Sequence, residues 1–279
     1  PDTAWKTIAR VNQDTYIPGD KILFERGGEW TGKTLAPQGS GSAEAYITIG
    51  AYGNETARPK ISANGKVADA IYLYNQQYWE ICDLDISNNV EGTTMVAGDT
   101  NPTGNVTERN NEEGSKLGDY RGIHIAGHDV ATLQGYYIHD VRVHDVSGYV
   151  SWIGSTGLET KGEKGIKDGL GYDGSKRTGG ILIEAIAPSG STDVKTGQPT
   201  VFSNITIEDS EFVNNSFCGI TIKQYNNGKN QENGTGWANR NSNNGAPDYY
   251  DQYWHPFTNI VIRGNYINQG ASAYACNGM

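Results

Sequence analysis

The chain has 279 residues, with 22 Lys and Arg against 32 Asp and Glu and a formal charge of −10. That balance argues against nucleic acid or an anionic membrane surface as partner, and no run approaches the roughly 20 apolar residues of a membrane span. Three cysteines, Cys82, Cys218 and Cys276, make no disulfide framework.

The N-terminal run up to Trp30 predicts a short amphipathic helix, a turn at Pro18-Gly19-Asp20 and a first strand over Lys21–Glu25. The first 20 or so residues are expected to cap a single β domain whose coils run from about residue 21 to 279, much as a polar terminal repeat closes a solenoid. A chain that starts at Pro1 without Met suits a removed leader or a fragment boundary, and a secreted or surface location is expected.

Further along, two short patterns recur. One reads Gly-Ile-x-Ile, at Gly122–Ile125, Gly180–Ile183 and Gly219–Ile222. The other carries apolar residues in fixed places and reads as one strand each over Trp79–Ile86, Tyr136–Val143, Ile205–Phe212 and Ile260–Ile267. Aligning the copies gives columns: Ile81, Ile138, Ile207 and Ile262; Ile86, Val143, Phe212 and Ile267; Trp79, Tyr136, Ile205 and Ile260. Apolar and polar residues alternate, and one such strand cannot bury its apolar face alone. Stacking equivalent strands about 4.8 Å apart makes a continuous core from parallel sheets. Asn88-Asn89, Ser147-Gly148, Asn214-Asn215 and Asn268-Gln269-Gly270 supply corner residues. The expected fold is all-β, a right-handed parallel β-helix. A β-sandwich would show hairpin signals at short regular spacing, whereas the isoleucine column has spacings of 57, 69 and 55 residues.

One coil plus one long insertion explains that spacing. The insertions are placed at Val90 to Arg121, Tyr149 to Thr178, Ala187 to Val201 and Gln224 to Pro256. Long loops on a rigid scaffold commonly carry binding and catalysis. At the end of the chain Asn277-Gly278-Met279 reads as the opening of another copy. A truncated helix is therefore expected, completed by a downstream segment or a second chain.

No Walker loop, nucleophile elbow, zincin motif or Cys-rich zinc spacing is present. His139 and His144 read as strand histidines in different surroundings, and no metal ligand is assigned. Stacked acid–base chemistry remains. Cys82, His139, Glu208 and Arg263 share one column, and Asp83, Asp140, Asp209 and Gly264 the next. Stacked carboxylates share a proton or bind a cation; a corner-capping role for the Asp column is the favoured alternative. Tyr74, Ala126, Glu184 and Lys223 form a further column, in which Glu184 is either a catalytic carboxylate tuned by Lys223 or one end of a cross-coil ion pair. The last insertion gathers Trp237, Asp248, Tyr249, Tyr250, Asp251, Tyr253, Trp254 and His255. Aromatic faces stack on sugar rings while nearby polar groups bond hydroxyls; packing of the loop onto the helix is the rival role.

With those residues in hand, the opening PGDKILFERGGEWTGKTLAPQGSGSAEAYITIGAYG resembles the start of secreted bacterial β-helix proteins acting on carbohydrate. The run NIVIRGNYINQGASAYACNGM resembles the pectate-lyase-like superfamily and, more narrowly, lacto-N-biosidase-type glycoside hydrolases. That resemblance implies a retaining hydrolase with two Asp residues that releases lacto-N-biose, although no motif here marks them. The lyase branch implies a basic proton abstractor and often Ca²⁺. The resulting expectation is a glycoside hydrolase that needs no cofactor, with Ca²⁺ reserved for the lyase alternative and a non-catalytic adhesin as a third reading. Candidate catalytic carboxylates are Glu184, Glu208, Asp248 and Asp251; candidate substrate contacts are Trp237, Tyr253, Trp254, His255 and Lys223.

Overall fold

The computed structural model describes residues 4–89, 120–148, 178–186, 197–198, 200–224 and 256–268. After a four-residue helix, α1 (Ile8–Val11), come β1 (Thr15–Tyr16), β2 (Lys21–Glu25), β3 (Glu29–Thr31), β4 (Gln38–Gly39), β5 (Ile47–Tyr52), β6 (Lys60–Ser62) and β7 (Asp69–Tyr74). The next strands are β8 (Trp79–Cys82), β9 (Asp85–Asn88), β10 (Arg121–Gly127), β11 (Thr132–His139), β12 (Arg142–Val146) and β13 (Gly179–Ala185). The series closes with β14 (Val201–Glu208), β15 (Glu211–Val213), β16 (Ile220–Gln224), β17 (Phe257–Arg263) and β18 (Tyr266–Asn268).

These strands form three long parallel sheets. Sheet I runs β2-β5-β8-β11-β14-β17, sheet II β3-β6-β9-β12-β15-β18 and sheet III β7-β10-β13-β16; β1 pairs with β4 apart from them. From β5 to β16 the chain passes from sheet I to II to III and back, so each of these circuits adds one strand to each sheet; the first circuit ends instead in β4. This is the expected all-β parallel β-helix, and crossovers between parallel strands take the right hand almost without exception.

Register follows the isoleucine column. Ile22, Ile49, Ile81, Ile138, Ile207 and Ile262 are successive partners across sheet I. Ile61, Ile86, Val143, Phe212 and Ile267 do the same in sheet II. All but the last member of each row are buried. Each such side chain stabilises the fold by about 1.5–3 kcal/mol relative to exposure. At the N-terminal end α1 lays Ile8 and Val11 onto this core, with Thr7 capping the helix through Arg10 N.

One expectation needs correction. Each run from Trp79 to Ile86, Tyr136 to Val143, Ile205 to Phe212 and Ile260 to Ile267 is two strands, in sheets I and II. The break falls at Asp83, Asp140, Asp209 and Gly264, whose φ values are 57°, 51°, 48° and 67°. Asp tolerates this left-handed backbone better than most residues, and Gly does so freely. The Asp column therefore sits at a corner. A second set of polar residues is internal. Asn88 is fully buried, donating to the carbonyls of Val67, Ala68 and Arg121 and accepting from Gly65 N, which ties neighbouring coils together. Asn215 is likewise buried, bonding Val143 O and Val146 N.

The insertions begin and end slightly inside the expected limits, since Arg121, Val201 and Gln224 belong to strands. Their places matter more. The segments before β10 and β13, and those after β13 and β16, all adjoin strands of sheet III. Among the described residues no helix is long and apolar enough to cross a membrane.

Candidate active site

Sheet III turns alternate residues to opposite faces. Ile123 and Ile125 of β10 enter the core, so His124 and Ala126 lie on the outer face. Register sets Tyr72, His124, Leu182 and Thr221 in one outer column and Tyr74, Ala126, Glu184 and Lys223 in the next. The second column matches the alignment expected from sequence. An outer strand face would normally meet water, yet here Leu182 and Glu184 have no exposed surface and His124 is 3% exposed.

A buried polar chain crosses this face. His124 Nε2 lies 2.9 Å from Glu184 Oε1. Its Nδ1 lies 3.1 Å from Asp69 Oδ1 but is out of line for a hydrogen bond. Arg121 Nε donates to the same Asp69 oxygen. Burial pushes the Asp69 carboxyl up, but the Arg121 guanidinium and His124 outweigh it and hold it below the usual carboxylate range. Tyr72 stacks on the His124 ring with centroids 4.8 Å apart. Its hydroxyl is pushed up to about 12, first by burial and then by the charges of Asp69 and Glu184. At the rim Tyr74 is exposed, its hydroxyl 3.4 Å from His128 Nδ1.

Chemically, this is a carboxyl group taken out of water and tied to an imidazole. A buried carboxyl changes its proton affinity steeply with its surroundings, and the ring offers a route for the proton. Asp69, held by Arg121, faces the other side of the ring. Such an arrangement suits general acid–base work.

Of the candidate catalytic residues, Glu184 lies in this cluster, and Lys223 is its cross-strand partner. Glu208 lies elsewhere, on the outer face of sheet I. Its carboxylate accepts from Tyr137 Oη at 2.6 Å and from Arg263 Nε, and these two bonds hold it below the usual range. Glu184 and Glu208 thus stand on different sheets. Trp237, Asp248, Asp251, Tyr253, Trp254 and His255 lie outside the described residues, in the segment directly after β16. His124, Asp69, Arg121 and Tyr72 escaped the sequence reading. Their one signal was polar residues within otherwise apolar strands, in DAIYLY and RGIHI.

The outer face of sheet I carries an open depression of about 320 Å³, lined by Tyr46, Glu80, Tyr137, Asn204, Thr206 and Val261 among others.

No protein-family model and no curated protein matches the chain. Among solved structures, two crystal structures of a GH136 lacto-N-biosidase from Eubacterium ramulus align over 95% of this chain. The selenomethionine derivative gives a TM-score of 0.61 at 22% identity, the native protein 0.62 at 23%. The chain spans 38% of the length of that protein. An alginate lyase from Paenibacillus sp. str. FPU-7 aligns over 93% of this chain and 73% of its own, at 16% identity and a TM-score of 0.33. The likeness to the lacto-N-biosidase is one of fold.

Proposed function

We propose that this chain is part of a carbohydrate-active enzyme, a glycoside hydrolase whose sugar lies along the outer face of sheet III. The observation that carries the reading is the fully buried Glu184, bonded to His124 on the one sheet that all four insertions adjoin. The fold shared with a lacto-N-biosidase supports the substrate class, although fold alone does not fix a reaction. In glycoside hydrolysis one carboxylic acid protonates the leaving oxygen while a second carboxylate attacks the anomeric carbon or activates water. Glu184 is assigned the first role, with His124 orienting its carboxyl group. Asp248 or Asp251, on the segment that leaves β16 beside Glu184's own strand, is assigned the second. Lys223 and Tyr74 bond sugar hydroxyls at the rim, and Trp237, Tyr253, Trp254 and His255 clamp the rings. The net charge of −10 favours a neutral oligosaccharide over a polyanionic one.

The test is Glu184→Gln in the intact protein, assayed for reducing-sugar release from neutral oligosaccharides. Loss of the proton donor is expected to lower the rate by about 10²–10⁴-fold with the far-ultraviolet circular dichroism unchanged. Full activity in the variant removes Glu184 from the chemistry. Formation of an unsaturated product absorbing in the ultraviolet would instead mean elimination, and the hydrolase assignment would fall.

A further inference from the structure

A second constellation lies on sheet I, away from Glu184. In β8 the core takes Trp79 and Ile81, which leaves Glu80 and Cys82 on the outer face; in β11 it takes Ile138, which leaves Tyr137 and His139 there. Register places His139 directly beside Cys82 and Tyr137 beside Glu80. A carboxylate oxygen, a thiol sulfur and an imidazole nitrogen, one from each of Glu80, Cys82 and His139, all lie within 4.8 Å of one another. We infer that these three residues form a transition-metal site suited to zinc, with a fourth position open to solvent.

Four features support it. His139 Nε2 and Glu80 Oε1 are 3.2 Å apart. Two ligands at zinc distances of about 2.0–2.1 Å stand roughly 3.4 Å apart around a tetrahedral ion. The imidazole is also oriented from behind: Nδ1 lies 2.8 Å from Asp140 Oδ2. A ring that donates Nδ1–H to Asp140 points Nε2 at the Glu80 side, where a bound cation would take the place of the Nε2 proton. Carboxylate–histidine–metal arrays use this same orientation. Stacking on Tyr137, with centroids 4.1 Å apart, further restricts the ring.

The third feature is charge. Glu80, Asp83 and Asp140 place negative charge around Cys82. A divalent cation meets that excess negative charge and draws the thiol to thiolate on binding, releasing a proton. The fourth is space: Gly50 is the register position below Cys82, and a β-carbon there would come within 3.1 Å of Cys82 Sγ. His139 and Glu80 keep 18% and 29% of their side-chain surface exposed, so water can complete the coordination.

In sheet II, His144 repeats the arrangement, with Asp145 behind the ring and Asp85 in front. There Ser87 stands where Cys82 would be, and Arg142 Nη1 bonds Asp85 at 3.3 Å. The chain itself supplies the cation at that cluster and no sulfur ligand, so His144 serves as the control.

The experiment is zinc titration of the intact protein against a fluorescent chelator, read beside the absorption spectrum with cobalt(II). One zinc per chain is expected, with a dissociation constant of about 1 μM or tighter. Cys82→Ser should weaken it by about 100-fold or more, Asp140→Asn by about 10–100-fold, and His144→Gln should leave it unchanged. Asn keeps the left-handed corner at position 140 while removing the carboxylate. The cobalt spectrum needs no variant: a thiolate-to-cobalt charge-transfer band in the near ultraviolet is expected from the unaltered protein. Absence of that band overturns the proposal, as does affinity weaker than about 100 μM or affinity indifferent to Cys82→Ser. None of these readouts depends on glycosidase activity.

Discussion

His144 lies between two carboxylates, its Nδ1 2.6 Å from Asp145 Oδ2 and its Nε2 2.9 Å from Asp85 Oδ1. Burial lowers its proton affinity, but the two hydrogen bonds and the charge of Asp85 outweigh this and hold the ring up to about 9. Asp145 is lowered chiefly by its bond to His144; in Asp85 burial acts upward, and His144 and Arg142 outweigh it. A histidine raised in the folded state stabilises fully below its unfolded value near 6.5 and loses that contribution as pH climbs through about 9. The lowered aspartates act oppositely: their contribution is full above the ordinary value of 3.8 and is lost as acid protonates them. The cluster is therefore most stabilising between about pH 4 and 6.5. His139 is raised as well, so it bends the curve in the same direction. The displacement of His144 corresponds to something on the order of 3 kcal/mol for the coupled group. His144→Gln is expected to lower the urea-unfolding free energy by roughly that amount at pH 6 and by little near pH 10. A difference independent of pH would mean that packing, not charge, gives His144 its role.

The strand is the scale at which the two faces of a sheet separate. Ile138 is completely buried in the middle of sheet I, whereas Val261 on the outer face of β17 is 37% exposed. Ile138→Ala is expected to destabilise by about 2–5 kcal/mol and Val261→Ala by about 0.5 kcal/mol or less, compared through denaturant midpoints. Equal effects would contradict the assignment of inner and outer faces. That assignment was legible in the chain because alternation with period two is a direct image of a half-buried strand, and identical columns can stack only in register. A corner role for the Asp column was the favoured reading, but the division of each run into two strands at Asp83 was not read, although its signal was there. Ile81 and Ile86 are five apart, an odd number, and one straight strand would send them to opposite faces. Only a turn between them returns both to the core. Glu184 could be found by column alignment, since Lys223 and Tyr74 share its place in successive copies. His124 could not, because its contacts to Asp69 and Glu184 run diagonally across strands and depend on side-chain reach rather than on register. Column alignment set Cys82 beside His139 across 57 residues, but Glu80 stands two residues off that column and was not joined to them.

Over the whole molecule, each coil touches its neighbours along one axis, and stability accumulates from coil-to-coil interfaces rather than from one shared centre. β8 and β11 have strands paired on both sides. Among the described residues β17 is paired on one side, with β14. The difference is visible in burial. Ile205 and Ile207 are completely buried, while Ile260 and Ile262, next in the same columns, are only partly covered, and Tyr266 of β18 is 56% exposed. Among the described residues, opening the β17 coil breaks one interface, whereas opening β11 breaks two and leaves Trp79, Tyr136 and Phe202 without their packing. Hydrogen exchange reads these opening energies strand by strand. In this 279-residue chain the amides of Tyr136–His139 are expected to exchange at least about tenfold more slowly than those of Phe257–Arg263, tenfold being the effect of about 1.4 kcal/mol. Uniform protection from β2 to β17 would mean that the coils open together, and the additive account of this solenoid would have to be abandoned.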